Sequence, residues 1–319
     1  MLGRALILRT AALKPVESTV RRSRLFRPLV SRFIAGDDLD SAIAASENLL
    51  SKSLLVTLDY LGENTHSESE AQAAKQTYIR MLDRIALVSQ VAGYRPNQGS
   101  SFTAEPLNIS IKLSQCGLDL DAGFCEQTYR DVLRAAQPSS NFVRIDMESS
   151  EYTQRTIDIV TGVMKEFPNT GTVLQSYLFR TDEDIEQMIE LQARVRLVKG
   201  AYLEPPSVAY ADKRKVDEAF VRQGKRLLES GFYPAIATQD EEIINELKTY
   251  AATKGVPKSA FEFQMLYGIR RDLQEGLRRE GYNVRIYVPF GDRWYPYFTR
   301  RLAERPANSL FILRSLFKG

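Results

Sequence analysis

The chain has 319 residues, 44% of them hydrophobic and 26% charged, which is long enough for one large barrel or two ordinary domains with a sizeable core. A net charge of only +3 gives no argument for nucleic acid, and no apolar run approaches the length of a membrane span. A single histidine, His66, and two cysteines, Cys116 and Cys125, exclude a His-rich metal site, an HExxH motif and a disulfide framework, so no metal is expected and a reduced cytoplasm is the simplest setting.

Residues 1–36 carry seven Arg and one Lys against one acid, Glu17, a balance of +7 that leaves about −4 for the remainder. Such a segment reads as a basic arm or a transit peptide. The run LFRPLVSRFIAG continues into DDLDSAIAASENLLSK without a processing signal, which favours a helical arm over residues 1–50 ahead of a domain over residues 51–319. Asp37 or Asp38 is placed to cap the helix predicted over residues 37–52.

From residue 54 onward, apolar runs and helical stretches alternate. Strands are predicted at Leu54–Leu58, Leu107–Leu113, Phe142–Met147, Thr172–Tyr177, Arg194–Val198, Tyr233–Thr238, Ala260–Met265 and Val284–Pro289. The intervening stretches are rich in Ala, Glu, Lys, Arg and Leu. Parallel strands need helical crossovers, so eight such repetitions without a composition break predict one (β/α)8 barrel. In that architecture chemistry gathers at the C-terminal ends of the strands. There the sequence offers Asp59 and Glu63, Lys112, Asp146 and Glu148, Gln175, Arg196 and Lys199, Thr238 and Gln239, Gln264, and Tyr287.

Two stretches stand out. In Arg194-Val-Arg-Leu-Val-Lys-Gly-Ala-Tyr202, alternation sets Arg194, Arg196 and Val198 on one side of a strand. An inward Arg196 is costly unless it meets an anion or a polar cofactor edge, and Lys199-Gly200 lets backbone approach a ligand. In residues 284–308 a strand, VRIYV, leads through Phe290-Gly291-Asp292 into a helix that Asp292 is placed to cap and that should stop near Arg305, before Pro306. Tyr297, Arg300, Arg301 and Glu304 fall on one face of it, a ring, two guanidinium forks and a carboxylate suited to an anion. No GxGxxG follows a strand and no P-loop is present. Asp119-Leu-Asp-Ala-Gly123 is a turn, and the two cysteines read as buried apolar residues.

Arg196-Leu-Val-Lys-Gly-Ala-Tyr202, Phe261-Glu-Phe-Gln-Met-Leu266 and Tyr287 through Arg301, together with Leu61-Gly-Glu63, the Lys112 strand and Arg144-Ile-Asp-Met-Glu148, resemble the proline dehydrogenases of the short, single-activity bacterial type. The resemblance runs from about Leu54 to Asn308, in the family order. It implies a distorted (βα)8 TIM-like barrel with extra N-terminal helices, holding FAD without a Rossmann motif. The implied reaction is oxidation of L-proline to Δ1-pyrroline-5-carboxylate, with electrons passed to a membrane quinone and hence peripheral contact of a cytoplasmic protein with the inner membrane. By resemblance, Arg300 and Arg301 clamp the substrate carboxylate with Lys112 nearby, and Tyr287, Tyr297 and Leu266 enclose the ring. Asp146 supports the network and Glu63 pairs with Arg300. Gln175, Arg196, Val198, Lys199, Gly200, Ala201, Tyr202 and Thr238 match flavin contacts. Gln239 stands where the family usually has His, which alters one flavin contact. Two rival readings are a Schiff-base aldolase-like barrel using Lys112 or Lys199 and a non-catalytic barrel that binds an anionic partner.

Overall fold

In the computed structural model, residues 17–18, 20–21, 26–91 and 104–304 are described. Two helices, α1 (Arg27–Phe33) and α2 (Leu39–Leu50), precede the first strand. Asp38, not Asp37, caps α2, its carboxylate accepting from the Ser41 amide at 2.8 Å. Then follow β1 (Leu55–Tyr60), α3 (Glu68–Val91), β2 (Leu107–Ile111), α4 (Ala122–Ala136), β3 (Val143–Ile145), α5 (Ser150–Met164), β4 (Thr170–Gln175), α6 (Thr181–Glu190), β5 (Arg194–Val198), α7 (Lys213–Ser230), β6 (Ala235–Ala237), α8 (Glu241–Thr253), β7 (Glu262–Leu266), α9 (Arg271–Arg279), β8 (Asn283–Phe290) and α10 (Tyr295–Glu304). All eight strands are parallel, each beside its sequence neighbour, and β8 closes on β1. The expected eight-stranded barrel is therefore the fold. Residues 1–16 of the expected arm lie outside the described residues, and among the described residues no helix is long and apolar enough to cross a membrane.

Three details differ from the sequence reading. Strand β4 begins at Thr170, because Gly171 is a strand residue and no breaker. A Cβ there would meet the Arg194 carbonyl at 2.2 Å, so only glycine fits the pairing. Strand β6 begins only after Pro234, since Tyr233 adopts φ +45°. Helix α10 starts at Tyr295, later than an Asp292 cap requires. Pro296 sits in its first turn, where a missing N–H costs no hydrogen bond, while the Asp292 carbonyl accepts from the Arg21 guanidinium at 2.8 Å. The side chain of Glu304 and all of residues 305–319 lie outside the described residues.

The apolar core is the shell between strands and helices. Val56, Leu58, Ile109, Ile111, Val143, Ile145, Val195, Leu197, Phe263 and Ile286 face outward from the barrel onto α3, α4, α5 and their successors. Cys116 and Cys125 belong to this shell as free, buried thiols, and burial pushes the Cys116 thiol up to about 12, so it is inert at neutral pH. A second cluster joins Trp294, Tyr295, Tyr297 and Phe298 to Ile34, Val30 and Phe33, docking α10 on the N-terminal helices.

Candidate active site

Because side chains alternate along a strand, the residues between the outward apolar ones point into the barrel. Here many of them are polar. The inward row of β5 is Arg194, Arg196, Val198; that of β7 is Glu262, Gln264, Leu266; that of β8 includes Arg285 and Tyr287. The register sets Gln264 beside Arg285 and Leu266 beside Tyr287. Strands β1, β2 and β3 contribute Asp59, Ser110 with Lys112, and Arg144 with Asp146.

Arg196 crosses this interior and is the hub of it. Its Nη1 donates to Asp146 Oδ1 at 2.7 Å, its Nη2 to Ser110 Oγ at 3.0 Å, and its Nε to Gln264 Oε1 at 2.5 Å. Tyr287 closes the ring: its hydroxyl donates to Asp146 Oδ2 at 2.6 Å, and the Arg196 guanidinium lies 5.2 Å from its ring centroid. Burial pushes the Tyr287 hydroxyl well above the usual tyrosine value, with the Asp146 carboxylate adding to it, so it remains a donor. The inward aim expected of Arg196 is what the structure has, and its charge is compensated as a buried guanidinium requires.

Lys112 and Asp59 form a second buried pair, Nζ to Oδ1 at 2.5 Å. Burial works against the ammonium, but Asp59, Asp146 and Glu63 outweigh it and hold Lys112 above the ordinary lysine value. Lys112 is therefore a fixed cation. A Schiff-base lysine needs the opposite shift, and the aldolase-like reading loses its basis at this residue. Next to it, Glu148 accepts from the Ser114 amide at 3.1 Å and hydroxyl at 2.6 Å.

Above the mouth lies α10. Arg300 bonds Glu63, in the loop after β1, at 2.6 and 3.3 Å, and its guanidinium sits 5.8 Å over the Tyr202 ring. Glu63 opposes the desolvation of Arg300 and keeps it above the usual arginine value. Arg301 stacks on Tyr297, one helical turn before it, at 5.3 Å. Tyr297 is itself buried, which fixes the platform.

The loops after β4, β5 and β6 form a different kind of wall. Gly200 has φ +111°, and a Cβ on it would lie 2.4 Å from the Tyr177 ring, so this turn requires glycine. Tyr177 in turn donates to Glu204 at 3.2 Å, and Glu204 also accepts from the Ser150 amide at 2.9 Å, pinning the loop that carries Ala201 and Tyr202 onto the start of α5. Gln175 donates to the Glu148 carbonyl at 3.2 Å. Two buried side-chain oxygens of this wall, Gln175 Oε1 and Gln239 Oε1, have no hydrogen-bond partner among the described residues. Thr238 caps the turn there, accepting from the Asp240 amide at 3.2 Å.

The structure thus brings Asp146, Arg196 and Tyr287 into one buried network, sets the Lys112–Asp59 pair within electrostatic reach of Asp146, and places Arg300 against both Glu63 and Tyr202. Leu266, half-buried, rises beside Tyr287, and Val198 ends the inward row of β5. Lys199 goes elsewhere: outside the inward row, it is bound by Asp217 at 2.6 Å and Asp240 at 2.9 Å. Sequence reasoning had Asp59 and Gln264 as strand-end polar residues only and did not single out Ser110. The available signal was period 2: Ser110 precedes Lys112 by two, and Gln264 precedes Leu266 by two.

A (βα)8 barrel whose interior carries fixed cations, carboxylates and a tyrosine up to its C-terminal mouth defines an enzyme of the barrel class. The sequence model of the family described as proline dehydrogenase matches residues 42–314. Proline dehydrogenase 1 of Bacillus subtilis is 41% identical over 287 residues, 90% of this chain and 90% of that protein. The proline dehydrogenase of Deinococcus radiodurans is 37% identical over 315 residues, 97% and 96% of the two chains. Among solved structures, proline utilization A from Bdellovibrio bacteriovorus, inactivated by N-propargylglycine, superposes with a TM-score of 0.84 at 24% identity, over 95% of this chain but only 36% of that one. That likeness bears on the fold alone. The chain belongs to the proline dehydrogenase family, a class of flavoenzymes that carry out the first step of proline catabolism.

Proposed function

We propose that this barrel oxidises L-proline to Δ1-pyrroline-5-carboxylate with FAD as the cofactor it holds, and that a quinone takes the electrons onward, which entails peripheral contact with the inner membrane. The observations that support the reading are the buried Arg196 hub and, at the end of β4 and in the loop after β6, two buried amide oxygens, Gln175 Oε1 and Gln239 Oε1, without a hydrogen-bond partner among the described residues. The wall's features fit a flavin. Gln175 Oε1 and Gln239 Oε1 are buried acceptors awaiting donors, and Gly200 leaves backbone bare over Tyr177. Bound FAD supplies the two-electron sink.

The chain's own residues do the rest. Arg196, anchored by three acceptors, presents a cation where negative charge develops, and its geometry needs no reorganisation at that moment. Asp146 and Tyr287 hold that cation in place. Lys112 and Arg301 supply the charges for the substrate carboxylate, joined by Arg300 from its Glu63 pair. Guanidinium forks suit a carboxylate bidentately. Tyr287, Tyr297 and Leu266 enclose the pyrrolidine ring and exclude water. L-Proline loses a hydride from the ring carbon beside nitrogen that does not bear the carboxylate, and the proton of the amine, the latter to solvent or a nearby group. No histidine is needed for either.

Purified protein should be yellow, release FAD on heating, and bleach with anaerobic L-proline. A released cofactor that is a nicotinamide, or none at all, overturns this reading.

A further inference from the structure

Strand β7 places Glu262, Gln264 and Leu266 on its inward face, from barrel floor to mouth. Leu266 lies in the proposed substrate pocket. The other two have no assigned role, although both are fully buried and polar, at 0% and 3% exposure. Gln264 Oε1 accepts from Arg196 Nε at 2.5 Å, and its Nε2 donates to Glu262 Oε1. Glu262 is in turn fixed by Arg285, Nε to Oε1 at 2.8 Å and Nη2 to Oε2 at 3.0 Å, with the Tyr233 hydroxyl on Oε2 at 3.2 Å.

A glutamine amide has two ends, and only its oxygen can accept from a guanidinium. With the ends exchanged, an NH2 group would face Arg196 and a carbonyl would face the Glu262 carboxylate, two repulsive contacts. A buried anion beside Nε2 therefore decides the matter, and Arg285 keeps that anion ionised and immobile.

We propose that Glu262 and Gln264 are positioning residues for the reaction: Glu262 orients the Gln264 amide, and Gln264 holds the Nε edge of Arg196 so that the guanidinium plane is set at the barrel mouth. This rests on the reading of Arg196 as the cation that stabilises negative charge on the flavin. Asp146 and Ser110 hold the two terminal nitrogens. The Nε contact is the third point, the one that fixes rotation about the line joining them.

The test is Gln264→Met, which keeps volume and removes both hydrogen bonds. Holoenzyme would be prepared with 15N-arginine, and folding checked by its thermal transition. The Nε–H resonance is assigned by its loss in Arg196→Lys. In wild type that proton should exchange slowly, and in Gln264→Met rapidly. The flavin midpoint potential should fall, and flavin reduction by proline should slow about tenfold, the worth of one hydrogen bond to a charged group. Binding of a proline-like carboxylate should stay within about twofold, since nothing in the carboxylate clamp has changed. If Gln264→Met does not fold, Glu262→Gln carries the same readouts. Unchanged Nε–H exchange and midpoint potential in the Gln264 variant, with both altered in Arg196→Lys, overturns the relay and leaves the role of Arg196 standing. If Arg196→Lys also leaves the potential and reduction rate unchanged, the reading of Arg196 falls and the relay with it.

Discussion

The Lys112–Asp59 pair gives the sharpest separation between folding and catalysis. Both groups are buried and 2.5 Å apart, so Lys112→Met strands a carboxylate inside the barrel. Removing one partner of a buried pair costs about 3–5 kcal/mol of stability. A stranded Asp59 relieves the cost by taking up a proton, so the deficit should shrink as pH falls. The same change removes a cation from the proposed carboxylate site, worth about 2–5 kcal/mol of transition-state binding. At about 1.4 kcal/mol per decade, kcat/KM for proline should fall roughly 30-fold to several thousand-fold. The double variant Lys112→Met with Asp59→Asn has no stranded charge. It should recover most of the stability and none of the activity. Chemical denaturation and steady-state kinetics on the FAD-loaded protein decide the matter. If the double variant regains proline turnover together with stability, Lys112 is an internal counter-ion for Asp59 and nothing more.

Arg301→Met should lower kcat/KM for proline by roughly 30-fold to several thousand-fold with flavin content nearly unchanged, and Arg301→Lys should recover only part, since an ammonium lacks the fork; titration with a carboxylate-bearing analogue checks it, and wild-type affinity in Arg301→Met refutes the clamp. Gly200→Ala forces a methyl to 2.4 Å from the Tyr177 ring at φ +111°, so its purified protein should carry less flavin and bind added FAD more weakly, as fluorescence quenching would report. Glu262 is buried, which alone would raise its pKa, yet Arg285 brings it from 4.5 to about 2. Such a group adds stability above its unfolded pKa and loses it as pH falls through the folded one, here about 3 kcal/mol at about 1.4 kcal/mol per pH unit. Denaturant midpoints should therefore decline from pH 5 toward pH 2 in wild type, and less steeply in Glu262→Gln.

The barrel was legible because its signal is repetitive: eight β-rich runs, each followed by a helical stretch, tolerate errors at any single boundary. The strand ends were less legible where one neighbour decides. Gly171 stays in β4 because of the Arg194 carbonyl, and β6 is cut short at Tyr233, contacts that no local pattern encodes. Arg196 announced itself by inward alternation, and that reasoning extends unchanged to Gln264 and Ser110. Lys199 shows its limit. It sits at a strand end like Lys112, but it is one residue past the inward row, and the carboxylates of α7 and of the α8 cap claim it. Residue type and position alone did not distinguish the two lysines. The parity of the strand did, once the register was known.

The division between the two faces of the sheet explains how so polar an interior is tolerated. In most barrels of this class, branched apolar side chains fill the inside. Here the inside holds Arg144, Arg194, Arg196, Arg285, Glu262, Asp59 and Lys112. Buried ion pairs roughly break even against their desolvation, so these groups contribute little net stability. Stability must come from the outer shell, where strand residues such as Ile109, Ile111, Leu197 and Ile286 meet the helices. That shell does not depend on which side chains point inward. The interior is consequently free to be built for orientation, each of the four arginines held by more than one acceptor and Lys112 by Asp59. Arg144 shows the extreme. Desolvation and the neighbouring Arg196 and Arg194 press its pKa well below the arginine value, and two backbone carbonyls, of Thr172 and Arg194, hold it at 3.0 and 2.8 Å. Desolvation works against its charged form, and the two carbonyl bonds fix where it sits. What it adds is rigidity beneath the Arg196 level, where a small displacement of the guanidinium would be felt at the mouth.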